Sequence, residues 1–179
     1  GSGTAPQSAG QSSFWLTNGC YNVIVDHCSS SWDTDENLKI FKYAQPVSPD
    51  ITNITVQRCI FGEALGTAHG ALISGARNYG VTPPIEEYLK NRDISLHHNL
   101  LIHNYDRNPV ASTAGLEVVN NIVYNWGIRV GVSDAKNTVD LVNNYWKKGP
   151  MSQAMIWKHE AQATVAGGDV WHYPDPSIY

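Results

Sequence analysis

The chain has 179 residues, a formal charge of -4 and a pI near 5.9. That length gives one domain with a substantial core, and the acidic balance excludes nucleic acid as the main partner, because phosphate binding needs a basic face. No stretch reaches the roughly 18 apolar residues of a membrane span, and a charged fraction of only 16% beside abundant Gly, Asn, Val, Ile, Ser and Thr favours strands and turns over helices.

Taken in chain order, residues 1–12 are small and polar, lack the apolar run of a signal peptide and are expected to be a flexible segment, as at a mature or trimmed end. Ser13 to Cys20 can supply one coil. Val23-Ile24-Val25-Asp26-His27-Cys28 then opens a repeat, an alternating apolar run closed by polar residues. It recurs as Ile54-Thr55-Val56-Gln57-Arg58-Cys59 and Ile94-Ser95-Leu96-His97-His98-Asn99. Leu116-Glu117-Val118-Val119-Asn120-Asn121 and Val139-Asp140-Leu141-Val142-Asn143-Asn144 complete the set. Alignment puts Cys28, Cys59, Asn99, Asn121 and Asn144 in one column, at steps of 31, 40, 22 and 23 residues. The two short steps define a bare coil. The long ones carry loop-like insertions, Tyr43 to Asp50 and Gly75 to Lys90, with a short helix candidate over Pro84 to Asn91. The segment 151–179 lacks the repeat. It is expected to cap the open strand edges with Met155, Trp157, Trp171 and Tyr173, and Ala163 to Trp171 can form a strand.

The repeat predicts an all-β solenoid, a parallel β-helix of about five to seven coils forming one domain over 1–179. An inward Asn can bond the backbone of its own turn and the Asn stacked above it. That satisfies buried groups that would each cost about 1–3 kcal/mol unpaired. Cys tolerates burial, so Cys28 and Cys59 read as inert core thiols, with a disulfide between them as the alternative. Three cysteines cannot all pair with one another. Two positions past the column, Ser30, Phe61, Leu101, Val123 and Trp146 are expected to face inward.

Chemistry concentrates just after the repeated strands. Asp33, Asp35 and Glu36 place three carboxylates within four residues, a pattern suited to a hard divalent cation, although a solvated acidic turn is the bland alternative. Glu63 and His69 follow the next strand. His97-His98-Asn99 leads into His103-Asn104-Tyr105-Asp106-Arg107-Asn108-Pro109, where Arg107 reads either as functional or as an ion pair with Asp106 or another carboxylate.

These segments together resemble the pectate lyases. Val25-Asp26-His27 is similar to their W-I-D-H segment, and His97 to Pro109 to their H-H-N and R-x-P signature. Ile54-Thr55-Val56 and Leu72-Ile73-Ser74-Gly75 resemble the coil between them, and Ser31 to Glu36 resembles an S-W-x-x-D-E branch. The likeness covers about residues 20 to 150. It implies a right-handed parallel β-helix, secreted from the cell, that cleaves polygalacturonate by Ca2+-assisted β-elimination. It further implies Arg107 as the base, Asp33, Asp35 and Glu36 as calcium ligands, and His69, Glu63 and Asn108 as substrate contacts. An Arg can act as a base only in a cationic, partly desolvated site. His69 stands nearest the family's substrate Lys, and Ser112 stands where a second Arg is common. The family also carries more N-terminal coils, so a fragment, self-association or a missing N-terminal chain is an open expectation. A non-catalytic carbohydrate-binding β-helix is the alternative reading. A hydrolase using Asp33 and Asp35 is the third, although carboxylates on one turn suit shared ligation better than opposed acid and base roles.

Overall fold

The computed structural model describes residues 12–17, 19–43, 49–77, 91–134 and 138–160. The first coil contains β1 (Phe14–Thr17), β2 (Tyr21–Asp26) and β3 (Ser29–Ser31). The second contains β4 (Glu36–Tyr43), β5 (Thr52–Gln57) and β6 (Ile60–Gly62), and the third β7 (His69–Arg77), β8 (Arg92–His97) and β9 (Leu100–Ile102). Next come β10 (Val110–Ser112), β11 (Ala114–Val119) and β12 (Ile122–Tyr124), then β13 (Arg129–Asp134), β14 (Val139–Val142) and β15 (Tyr145–Lys147). β16 (Met155–Glu160) begins a sixth turn. Every third strand pairs in parallel, giving one six-stranded and two five-stranded sheets wound as a right-handed β-helix. No helix occurs among the described residues, and none is long and apolar enough to cross a membrane. Residues 84–90 of the helix expected over Pro84 to Asn91, the Ala163 to Trp171 strand, and the capping residues Trp171 and Tyr173 lie outside the described residues, as does nearly all of segment 1–12.

Inward columns form the core. Ile54, Ile94, Leu116 and Val139 stand in register, as do Val25, Val56, Leu96, Val118 and Leu141. Ser30, Phe61, Leu101, Val123 and Trp146 form the column expected two places past the repeat, and the first four are buried.

The polar column is a hydrogen-bonded ladder. The backbone N–H of Cys59 donates to Asn99 Oδ1, that of Asn99 to Asn121 Oδ1, and that of Asn121 to Asn144 Oδ1, at 2.9–3.0 Å. Each Asn Nδ2 donates to the preceding coil's carbonyl, at Val56, Leu96 or Val118. The expected bond to the Asn's own turn is therefore replaced by a bond between coils. At the top of the ladder, Cys59 Sγ accepts from Cys28 N–H, and all three cysteines are free thiols. The residue before each column position, His27, Arg58, His98, Asn120 or Asn143, has φ of 51–57°. This left-handed residue turns the chain sharply from one sheet to the next.

Candidate active site

The strands β4, β7, β10 and β13 of the six-stranded sheet bring the charged segments together at their N-terminal ends. Glu36 opens β4 in register with His69 at the start of β7, and His69 in turn bridges Asp106. Neighbouring strands in such a sheet lie about 4.8 Å apart, so Glu36, His69 and Asp106 form one row along the helix axis. Gly70 makes this spacing possible. A Cβ there would collide with Asn108 Oδ1 and the Arg107 carbonyl oxygen, so any other residue would push the turn away from β7.

Glu36 is fully buried and pairs with Arg107 through Oε1. Lys39 Nζ lies 2.9 Å from Asp35 Oδ2 and 3.3 Å from Glu36 Oε2, the second an ion pair without hydrogen-bond geometry. Burial pushes the Glu36 carboxyl up; Lys39 opposes the rise and Asp35 adds to it. Desolvation also works against the Asp35 charge, but Lys39, a hydrogen bond with Glu36 and the charge of Arg107 together hold that carboxyl low. Burial, then the charge of Arg107, pushes the His69 imidazole down to about 4, so it is neutral at pH 7. Arg129 grips Asp106 with two bonds, Nε to Oδ1 at 2.8 Å and Nη2 to Oδ2 at 3.0 Å. Asp106 Oδ1 also accepts from the Arg107 backbone N–H, which fixes the turn that carries Arg107.

The structure brings Asp35, Glu36, His69 and Arg107 together and sets the other expected residues apart. The buried Asp33 carboxylate accepts from the Ser13 and Ser30 hydroxyls, which makes it a strut of its own turn. Asn108 is buried and accepts from Asn104 Nδ2, inside the coil. Glu63 is exposed and pairs with His103 at 2.6 Å. Lys39, Asp106 and Arg129 join the site although the motif pattern did not single them out as site residues. The D-H and H-H-N residues themselves lie at another corner, where His27 and His98 are the left-handed turn residues and Asp26 pairs with His27 and Arg58. Their repetition therefore reflects coil geometry.

Asp35, Glu36 and His69 each offer one ligand atom, all within 4.8 Å of one another. A right-handed parallel β-helix with a mixed acidic and cationic row along one sheet defines the class of the protein. The curated relatives are fungal. The chain is 31% identical to probable pectate lyase C of Aspergillus flavus over 148 residues, which cover 80% of this chain and 30% of the relative. It is 31% identical to the Aspergillus fumigatus protein of that name over 174 residues, covering 94% and 36%. For the Emericella nidulans protein the identity is 33%, covering 72% and 25%. The chain belongs to the pectate lyase family, as a distant member. It spans about a third of the length of the relatives it matches. No family model matches it, and no solved structure gives a significant match.

Proposed function

We propose that the chain carries the site of a secreted polysaccharide lyase that cleaves polygalacturonate by calcium-assisted β-elimination. The observation that carries this reading is the meeting of Asp35, Glu36 and Arg107, from separate coils, in one charged row of a chain similar to pectate lyases. The two adjacent carboxylates suit calcium, and Glu36 Oε2 is a buried oxygen without a hydrogen-bond partner. Water and the substrate's own carboxylate would complete the coordination. Calcium held by Asp35 and Glu36 would neutralise the uronate carboxylate and so acidify the proton at C5.

Arg107 is the base of this reading. Its Nη1 is held on Glu36, and Asp106 with Arg129 fixes its backbone. Glu36 must release the guanidinium for Arg107 to reach C5. Lys39 and Arg129 add two further cations along the same row. As the C5–H bond breaks, its electrons form the C4–C5 double bond, the glycosidic oxygen departs from C4, and it gains a proton from water. His69, neutral at pH 7, contacts the uronate only through a hydrogen bond, which makes it a weaker partner than a cation.

The test is the rise in ultraviolet absorbance of the unsaturated product on polygalacturonate, with and without a chelator. The proposal expects a chelator-sensitive rise that is absent in Arg107→Ala. A rise that persists in Arg107→Ala rules out that base, and new reducing ends without the chromophore point to hydrolysis. Two observations favour the non-catalytic alternative: Lys39 already neutralises both carboxylates, and Ser112, in place of a second Arg, is buried. Affinity for polygalacturonate without any product would select that reading.

A further inference from the structure

The repeat shows what each turn position asks of its residue. Strands β3, β6, β9 and β12 stand in register and end on Ser31, Gly62, Ile102 and Tyr124. The residue after each is left-handed: Trp32, Glu63, His103 and Asn125, at φ 54–67°. His and Asn tolerate this region well, whereas a bulky side chain there is an outlier. Trp32 therefore breaks the pattern of its row. It is 72% exposed, more than any other large apolar side chain among the described residues. Its indole makes no hydrogen bond or ring contact among those residues. No described contact offsets the strain, which points to a partner outside the chain.

The place of Trp32 identifies that partner. It opens the turn that carries Asp33 and Asp35 into Glu36, the first residue of β4. Three residues of chain keep its Cα within about 11 Å of that of Asp35. The charged row itself offers a polyanion little net attraction. Lys39 sits against Asp35 and Glu36, Arg107 against Glu36, and Arg129 against Asp106, so three cations face three carboxylates. A uronate chain then needs a contact that does not depend on charge. An indole supplies one, because its face takes the C–H face of a pyranose ring over a large area with only two side-chain torsions to fix. We propose that Trp32 is a stacking platform for a sugar ring of the same acidic polysaccharide whose uronate lies over the Asp35, Glu36 and Arg107 row. The proposal rests on the lyase reading and adds a specificity to it. A ring held by its face is accepted as a methyl ester as well as a free acid.

Trp32→Asn tests this, because Asn125 shows that the corner accepts asparagine. Calorimetry follows the binding of oligogalacturonate, free or methyl-esterified, to the full chain in chelator, where the lyase reading expects no cleavage. Trp32→Asn should weaken both ligands at least about tenfold, and Trp32→Tyr, which keeps a ring, should stay within about threefold of the wild type. The urea midpoint of Trp32→Asn should equal or exceed that of the wild type, since the strained indole is gone. Wild-type affinity should hold between low and high salt, because stacking is not screened. Wild-type binding by Trp32→Asn, equal losses in the two variants, a lower urea midpoint, an affinity that collapses with salt or esterification, or no saturable binding overturns the proposal. The lyase reading fails separately. Binding through Trp32 with no unsaturated product once calcium is restored keeps the platform and defeats the activity, whereas product formed by Trp32→Asn at the wild-type KM does the reverse.

Discussion

Arg107 and Glu36, 71 residues apart in sequence, pair across two strand spacings of the six-stranded sheet, the guanidinium resting on a carboxylate that is fully buried. A buried carboxylate that loses one partner remains desolvated, so the loss costs more than the pair contributes.

Arg107→Ala should therefore abolish unsaturated product and also destabilise the fold. Lys39 remains beside Glu36, which limits the loss to about 1–3 kcal/mol. Adding Glu36→Gln removes the stranded charge, so the double variant should regain stability while staying inactive. Urea unfolding midpoints read the first quantity and ultraviolet product assays the second. If stability does not return in the double variant, the ion pair is not what anchors Arg107.

Asn121 holds the middle of the ladder. Its Oδ1 accepts from both the backbone and the side-chain amide of Asn99, and its Nδ2 donates to Leu96. Asn121→Ala strands these groups in the core, at about 1–3 kcal/mol for each that finds no new partner. We expect a loss of at least about 3 kcal/mol by urea unfolding. Asn144→Ala, at the half-buried end of the ladder, should cost clearly less. Equal losses would show that the ladder does not act through burial.

The ladder also explains how much was legible in the sequence. Column residues repeat because each coil needs the same inward polar group, so register could be counted along the chain. Glu36, Arg107 and Arg129 each stand eight residues past their column residues Cys28, Asn99 and Asn121, which is why distant residues meet. His69 stands ten past Cys59, and the extra turn around Leu65 and Gly66 absorbs the difference. Asp33 could not be separated from Asp35 and Glu36 by composition. The left-handed Trp32, at φ 67°, precedes it, and its carboxylate turns back to Ser30. Lys39 was hidden for another reason. Between Leu38 and Ile40 it reads as an outward, solvated position, and only the bend at Asp35 brings the carboxylates under its ammonium.

Lys39→Met tests that hidden role. The ammonium repels any cation approaching Asp35 and Glu36, and it also lies 5.3 Å from the centre of the Trp15 ring. Replacing it with an uncharged side chain of similar length should raise divalent-cation affinity at least about tenfold, equivalent to about 1.4 kcal/mol. Calorimetry with Ca2+ and Zn2+ measures this. Unchanged affinity for both ions would place the cation site away from Asp35 and Glu36.

His69 predicts the pH dependence of the metal-free fold. Its folded pKa, about 4, lies below the ordinary 6.5, because burial first and Arg107 second disfavour the imidazolium. The unfolded chain therefore binds the proton more readily than the folded one between those values. Stability from this group is fully present above about pH 6.5, declines as the pH falls through that window, and is lost below about pH 4. Urea midpoints in the presence of chelator should fall across this range in the wild type. In His69→Gln the fall should be shallower, since glutamine does not titrate while every other acid group is retained. Identical profiles for the two proteins would mean that His69 takes up a proton as readily in the folded state as in the unfolded one, and that its Nδ1 is not sealed from solvent.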